Sequence, residues 1–144
     1  MDLSILSPIE ALALTIYGEA RGESVEGQIA VANVVMNRLL RSKQYKTIQD
    51  VCFAPEQFSC WNETDPNRVI LLELAEHLVL GDYTDMSLRQ AVYIATGVIN
   101  HSFIDNVKGS RYYLTATRYN SNRPNWAMNP TNVEKIGNHI FFDV

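Results

Sequence analysis

The segment from Val25 to Arg41 places the strongest constraint on how this chain folds. Between Ile29 and Met36 it is apolar on nearly every side, whereas a surface helix carries one apolar stripe and one polar face. Ser24, directly before it, is a residue type that caps helix N-termini. A helix of this kind needs neighbours all around it, so we predict a central, buried helix with other elements packed about it.

Further helix signals occur along the first two thirds of the chain. Ser7 can cap a helix, Pro8 suits the first helical position and Glu10 completes a capping box, with an end expected near Arg21-Gly22. Other helices are predicted to begin at Thr47 as a short turn, to run from Asp65-Pro66 to Gly81, and to run from Ser87 to about Asn100.

The last third of the chain changes character. Residues 111–115 and 139–142 are rich in aromatic and β-branched side chains, which is typical of short strands. Between them we expect a loop rich in Asn, Arg and Pro that contains Trp126. The predicted fold is therefore α+β, mostly α, with a small antiparallel sheet.

Composition narrows the class of protein. The chain has 144 residues, 47% hydrophobic and 19% charged, which fits one globular domain spanning residues 1–144. The net charge of −4, with acids and bases interspersed, predicts no nucleic-acid partner. No apolar run is long enough for membrane insertion, and we expect a monomer.

The N-terminus and the cysteines bear on the compartment. Residues 1–6 lack the positive region and apolar stretch of a secretion signal, so we expect synthesis in the cytoplasm and delivery to any outside substrate by another route. Cys52 and Cys60 could form a disulfide or remain two buried thiols. No other Cys or His lies near them at the spacing of a metal site.

Glu19 is the strongest candidate for a catalytic residue. It shares a helical stripe with Leu12 and Ile16, so a carboxyl group ends an apolar face that should point inward. Burial and the negative end of the helix dipole both disfavour the charged form. A Glu that holds its proton near neutral pH is suited to general-acid cleavage of a glycosidic bond. The alternatives are pairing with Arg21, or exposure to water at a frayed helix end.

Several other polar and aromatic residues have two interpretations each. Asn33 and Asn37 could orient Glu19 or bind sugar, but buried amides more often hold loops together. The sugar-cleft interpretation applies to amide, hydroxyl and aromatic groups, and the alternative for Phe58 and at least one tyrosine is the hydrophobic core. The candidates for the sugar cleft are Gln57, Ser59, Tyr112, Tyr113 and, as an exposed platform, Trp126.

The histidines give no catalytic or metal motif. His77, His101 and His139 are far apart and lie in no HExxH or HxH pattern, which favours structural roles over a zinc site. We predict no metal site and no cofactor.

One run of sequence resembles a known family. IYGEARGESVEGQIAVANVVMNR is similar to the catalytic domain of the spore-cortex-lytic enzymes, the SleB-type cell-wall hydrolases, in its GEARGE element and the G-Q-x-A-V-A-x-V-x-x-N-R helix that follows. Later matches occur in order at residues 57–59, 109–113, 124–127 and 136–141. The resemblance covers nearly all of the chain after residue 10.

The resemblance implies a lysozyme-like fold of the lytic transglycosylase kind, and peptidoglycan as the substrate. It implies cleavage of the β-1,4 bond between N-acetylmuramic acid and N-acetylglucosamine, with Glu19 as the acid–base residue. It also implies that Glu23 supports the loop or the substrate cleft, and we count Glu23 among the candidate substrate-binding residues. Many members of the family carry a signal peptide and a peptidoglycan-binding domain. We expect this chain to have neither, and a bare catalytic domain of this kind is similar to a phage lysis enzyme, an endolysin.

We expect non-hydrolytic lytic transglycosylation with Glu19 as the acid–base residue, and three alternatives to it stay open at this point. Glu23, four residues from Glu19, could supply the second carboxylate of a lysozyme-type muramidase, although Gly22 is expected to break the helix between them. An N-acetylmuramoyl-L-alanine amidase is a second alternative. A wall-binding or virion module without catalysis is the third.

Overall fold

The computed structural model describes residues 1–144 and contains six α-helices and three strands. It also contains three short 3-10 turns, at Leu3–Ile5, Ser59–Trp61 and Asn125–Ala127. The longer elements are α1 (Pro8–Ala20), α2 (Val25–Arg41), α3 (Ile48–Cys52), α4 (Pro66–Val79), α5 (Met86–Ile99), β1 (Tyr112–Thr115), α6 (Ala116–Ser121), β2 (Thr131–Ile136) and β3 (His139–Asp143).

The starts of α1 and α2 are those that the sequence predicts. The Ser7 hydroxyl accepts from the Glu10 backbone N–H at 3.1 Å, and the Glu10 carboxylate accepts from the Ser7 N–H at 2.8 Å, which completes the capping box. Ser24 caps α2 by accepting from the Gly27 N–H at 3.2 Å. These local bonds satisfy backbone donors that a helix start otherwise leaves unpaired.

The helical core forms around α1 and α2. Val31, Val34 and Val35 of α2 are fully buried, which confirms the prediction of a central helix. Helix α1 is equally central, because it contacts α2, α3, α4 and α5. Its Leu12 and Ile16 are fully buried, so the apolar stripe that leads to Glu19 does face the interior.

The sheet lies against one side of this helical core. Its strand order is β1-β3-β2, and both pairings are antiparallel. Every residue of the central strand β3 is buried, and Tyr113 of β1 lies opposite Phe141 of β3. The predicted fold class, mostly α with a small antiparallel sheet, is confirmed.

The segment between β1 and β3 is more ordered than the predicted loop. It contains α6, capped by the Thr115 hydroxyl, which accepts from the Arg118 N–H at 3.2 Å, and the edge strand β2. Five of the six β2 residues are exposed, so no alternation of apolar and polar residues marks this strand in the sequence. Its pairing with β3, interrupted by an irregularity between Thr131 and Glu134, creates the strand.

None of the helices combines the length and the apolar character needed to cross a lipid bilayer.

Candidate active site

A cleft of about 810 Å³ opens where the end of α1 approaches strand β1. Residues from the helical core form one wall, and residues from the sheet and α6 form the other. Most of the lining residues are polar or aromatic. They are Gly18, Glu19, Arg38, Glu56, Gln57, Ser59, Asn67, Tyr112, Tyr113, Leu114, Thr115, Arg118, Trp126, His139 and Val144.

Three groups hold the Glu19 carboxyl group at the wall of this cleft. Its Oε2 accepts from the Cys60 backbone N–H at 3.1 Å and makes a longer contact of 3.5 Å with the Ser59 hydroxyl. Its Oε1 accepts from the Tyr113 hydroxyl. The side chain is partly buried, so the structure does not support the alternative of an exposed Glu at a frayed helix end.

The glycine before Glu19 allows one of these contacts. A Cβ at Gly18 would lie 2.7 Å from both Cβ and Sγ of Cys60 and 2.9 Å from a methyl carbon of Leu71, closer than atoms can pack. Without a side chain at position 18, residues 59–61 approach α1 closely enough for the Cys60 N–H to reach Glu19.

Arg21 does not pair with Glu19. Its guanidinium donates to the Tyr17 carbonyl at 3.1 Å and to the Asn67 side-chain oxygen at 2.9 Å, and it covers the Tyr17 ring at 4.8 Å. The ion pair that the sequence left open is therefore absent, and Arg21 instead ties the end of α1 to the start of α4.

Tyr113 belongs to the immediate surroundings of Glu19. Burial, together with the negative charge of Glu19 and the hydrogen bond to it, raises the pKa of Tyr113 well above its usual value. The hydroxyl group therefore stays protonated at any physiological pH and can donate a hydrogen bond to the Glu19 carboxyl group. The Tyr113 ring packs against Phe141 and edge-on against His139, with centroids 5.4 and 5.1 Å apart.

Cys52 and Cys60 are two buried free thiols in the structure. Burial raises the pKa of Cys52 to about 12, and burial together with the nearby Glu19 raises that of Cys60. Both cysteines therefore stay in the unreactive thiol form at neutral pH, and they contribute to packing beside the cleft.

The structure brings five of the predicted substrate-binding residues together. Gln57, Ser59, Tyr112, Tyr113 and Trp126 all line the cleft. Trp126 is 52% exposed, as expected for a platform, and its ring lies 5.4 Å from that of Tyr112 and 6.0 Å from that of Phe142. Phe58, by contrast, is buried in the core, in line with the alternative given for it.

Glu23, the sixth predicted substrate-binding residue, does not line the cleft. Its carboxylate accepts from the backbone and side-chain N–H groups of Asn138 at 3.1 and 3.0 Å. His139 Nδ1 lies 3.2 Å away, though not aligned for a hydrogen bond. Burial alone would raise the pKa of Glu23, but these partners outweigh burial and lower it. Glu23 therefore supports the β2–β3 turn.

Asn33 and Asn37 also have supporting positions. The Asn33 amide donates to the Asn106 side chain at 3.3 Å, and the Asn37 amide donates to Asp105 and to the Ser110 carbonyl at 3.1 and 3.0 Å. Neither residue lines the cleft. They hold the loop before β1 against α2, which is the second of the two interpretations of these residues.

Sequence reasoning missed two buried polar residues of the cleft wall, Arg38 and His139. Both belong to the runs that resemble the known family, and a charge at the end of the apolar helix α2 was a visible signal. His139 lies beside Tyr113, while His77 contacts Asp82 at 2.7 Å on another surface. No three or more His, Cys, Asp or Glu side chains are arranged to hold a metal ion.

Comparison with known proteins gives relatives of one kind. A spore cortex-lytic enzyme of Halalkalibacterium halodurans is 29% identical over 133 residues, covering 92% of this chain and 34% of that protein. Another, from Oceanobacillus iheyensis, is 47% identical over 51 residues, covering 35% of this chain and 18% of that protein. The chain thus spans about a third or less of the length of the relatives it matches.

Two solved structures share the fold. The catalytic domain of the Bacillus cereus SleB protein is 26% identical, with a TM-score of 0.60, over 94% of this chain and 89% of that one. The catalytic domain of the germination-specific lytic transglycosylase SleB from Bacillus anthracis is 25% identical, with a TM-score of 0.60, over 99% and 100%. The family model described as Cell Wall Hydrolase matches residues 22–142. This chain therefore belongs to the cell wall hydrolase family and has the lysozyme-like fold of the SleB catalytic domain.

Proposed function

We propose that this chain cleaves the glycan strands of bacterial peptidoglycan at the β-1,4 bond between N-acetylmuramic acid and N-acetylglucosamine, with Glu19 as the acid–base residue. The observation that carries the proposal is the Glu19 carboxyl group, oriented by Tyr113, Ser59 and the Cys60 N–H at the wall of an open cleft. We further propose that residues 1–144 act as one catalytic domain.

The proposed reaction uses one carboxyl group twice. Protonated Glu19 gives its proton to the glycosidic oxygen while the bond from that oxygen to C1 of muramic acid breaks. The carboxylate then takes the proton of the muramic acid 6-hydroxyl, whose oxygen forms a new bond to C1. The products are a free 4-hydroxyl on N-acetylglucosamine and a 1,6-anhydromuramic acid, and no water is consumed.

The contacts of Glu19 suit both protonation states that this reaction requires. The hydroxyl groups of Tyr113 and Ser59 can donate to a carboxylate and can accept from a carboxylic acid. The Cys60 N–H only donates, and it therefore keeps Oε2 in place. Oε1, beside the Tyr113 hydroxyl, can therefore lose and regain the proton while the Cys60 N–H holds Oε2 in place.

The remainder of the cleft supports a sugar polymer as the substrate. Trp126 and Tyr112 offer aromatic faces on which pyranose rings pack, and Gln57 and Asn67 offer amides for hydroxyl and acetamido groups. The cleft is open to solvent, and a continuous strand can lie across it.

Hydrolysis is the second candidate outcome, and one observation favours it. Glu56 lines the same cleft as Glu19 and is exposed, so a second carboxylate is available to activate water. The sequence had suggested Glu23 for this role, but both of its carboxylate oxygens are engaged by the β2–β3 turn.

Product analysis separates these candidates. Purified peptidoglycan is digested with the wild type, Glu19→Gln and Glu56→Gln, and the fragments are identified by mass spectrometry. We expect 1,6-anhydromuramic acid ends from the wild type and from Glu56→Gln. Glu19→Gln should lower the rate by a factor of about 10² to 10⁴, the usual contribution of a general acid–base group.

The other outcomes each reject part of the proposal. Reducing-end muramic acid that disappears in Glu56→Gln would establish two-carboxylate hydrolysis. Released peptide stems would establish an amidase, and binding without products would establish a wall-binding module. Full activity of Glu19→Gln would remove Glu19 from the mechanism altogether.

A further inference from the structure

Arg38, in the last turn of α2, is a cleft residue to which the proposed reaction gives no role. Its side chain lines the cleft, yet the residue is only 8% exposed. Burial of a guanidinium in a protein interior is costly unless another group compensates the charge. Burial lowers the pKa of Arg38, but the group remains a cation at neutral pH because the pKa of a guanidinium lies far above neutrality.

No carboxylate in the protein forms an ion pair with Arg38. Arg41 and Arg111, the neighbouring arginines, both pair with Asp143. Arg38 makes no such pair, and Glu19, the nearby carboxylate, directs its oxygens to Tyr113, Ser59 and Cys60. A buried cation facing a cleft therefore lacks a negative partner.

Its surroundings fix the guanidinium plane and leave donors unused. Nε donates to the Arg111 carbonyl at 2.7 Å, and Nη1 makes a long contact of 3.4 Å with the Gln57 side-chain oxygen. The Phe58 and Tyr112 rings lie 4.8 and 5.5 Å from the guanidinium carbon. Nη2 has no partner within the protein, and it is not among the fully buried polar atoms, so it is open to the cleft.

We propose that Arg38 binds a carboxylate carried by the muramic acid residue of the substrate, through Nη2 and Nη1. The proposal rests on the proposed function. A planar guanidinium with adjacent free donors matches the two oxygens of a carboxylate. The sugar rings and acetamido groups of peptidoglycan are neutral, and its carboxylates are found on the muramic acid side, as the lactyl group or in the attached peptide.

This contact would tell the two sugars apart. N-acetylglucosamine has no lactyl group, so only muramic acid can place an anion against Arg38. Binding in the correct register would then set which glycosidic bond lies beside Glu19. Arg38 is in this sense a specificity-determining residue.

Binding is tested in the Glu19→Gln background, in which cleavage is expected to be slow compared with the titration. Isothermal titration calorimetry is carried out with three tetrasaccharides of alternating N-acetylglucosamine and N-acetylmuramic acid. One carries free lactyl carboxylates, one carries the neutral methylamides, and one carries L-alanine with its free carboxylate. We expect at least one of the acids to bind about tenfold or more tightly than the methylamide, in keeping with a charge-assisted hydrogen bond.

The acid preference should disappear in Glu19→Gln/Arg38→Gln and be only partly retained in Glu19→Gln/Arg38→Lys, because lysine keeps the charge without the planar fork. Arg123→Gln is the matched control, because Arg123 covers the Tyr119 ring and donates to its carbonyl but does not line the cleft. Circular dichroism verifies that each variant is folded. Which acid binds tighter identifies the lactyl or the peptide carboxylate as the ligand.

Equal binding of acids and methylamide, no binding of any tetrasaccharide, or an acid preference that survives Arg38→Gln would overturn the proposal. If the acid preference depends on Arg38 but the wild type releases no fragments from peptidoglycan, the proposed function fails and the carboxylate site stands. If the wild type cleaves and shows no acid preference, only the carboxylate site fails.

Discussion

At the scale of single residues, the surroundings of Glu19 decide what its carboxyl group can do. Its three partners come from the segment after α3 and from β1, distant in sequence from Glu19 itself. The stripe of Leu12, Ile16 and Glu19 predicted an inward-facing carboxyl group, and the structure places it as expected. That Glu19 holds its proton before the reaction stays a prediction.

Tyr113→Phe tests the orientation of Glu19. The change removes the hydroxyl that donates to Oε1 and keeps the ring packing on Phe141. We expect kcat on peptidoglycan to fall by about 10- to 100-fold, the equivalent of one hydrogen bond to a charged group, with little change in KM.

Tyr119→Phe is the matched control for this substitution. Tyr119 is a buried tyrosine that does not line the cleft, and its variant should keep full activity. A rise in KM with kcat unchanged would instead identify Tyr113 as a substrate contact, as the sequence first suggested.

At the scale of elements, the approach of residues 59–61 to α1 builds the site. This approach depends on the missing side chain at Gly18, which faces Cys60 and Leu71. The caps that begin α1 and α2 are local and readable in the sequence. The helix-to-loop contact at Gly18 is not, because the partner is about forty residues away and no pattern marks it.

Gly18→Ala should destabilise the protein by roughly 1–3 kcal/mol, because overpacking against Cys60 outweighs the gain of about 1 kcal/mol in helix propensity. Activity should fall as the Cys60 N–H moves away from Glu19. Urea unfolding and peptidoglycan digestion measure the two effects.

Gly22→Ala provides the comparison, since nothing lies within 4 Å of a Cβ there. It should change neither quantity appreciably. Wild-type stability and activity in Gly18→Ala would show that α1 and residues 59–61 can separate without consequence.

At the scale of the whole molecule, the cleft exists because the sheet is held against the helical core. Asp143 at the end of β3 pairs with Arg41 of α2 and with Arg111 before β1, and Glu23 holds the β2–β3 turn. Burial would raise the pKa of both carboxyl groups, but their partners outweigh burial and lower it. The two groups thus stabilise the fold in their ionised forms.

The stability that these two carboxyl groups provide should decrease at low pH. Carboxyl groups with a lowered pKa stabilise the fold fully above their unfolded values, near 3.8 for Asp143 and 4.5 for Glu23, and this contribution is lost as the pH falls through the lower folded values. Asp143→Asn should therefore lower the free energy of unfolding by roughly 1–3 kcal/mol at pH 7, and the difference from wild type should shrink below pH 4.

Urea unfolding between pH 7 and pH 2.5 measures both quantities. Asp82→Asn is a surface control, because Asp82 pairs with the exposed His77. A difference between Asp143→Asn and wild type that is the same at every pH would show that the ion pairs of Asp143 do not stabilise the sheet.

The sequence by itself determined the helices α1 to α5, the two aromatic strands and the inward position of Glu19, because caps, apolar periodicity and short motifs are local properties. Only the tertiary structure decided the rest. Strand β2 forms by pairing with β3, Glu23 is drawn to the Asn138 turn instead of the cleft, and the charge of Arg38 is left without a protein partner. These features depend on contacts between residues far apart in the chain, and such contacts leave no periodic signal along it.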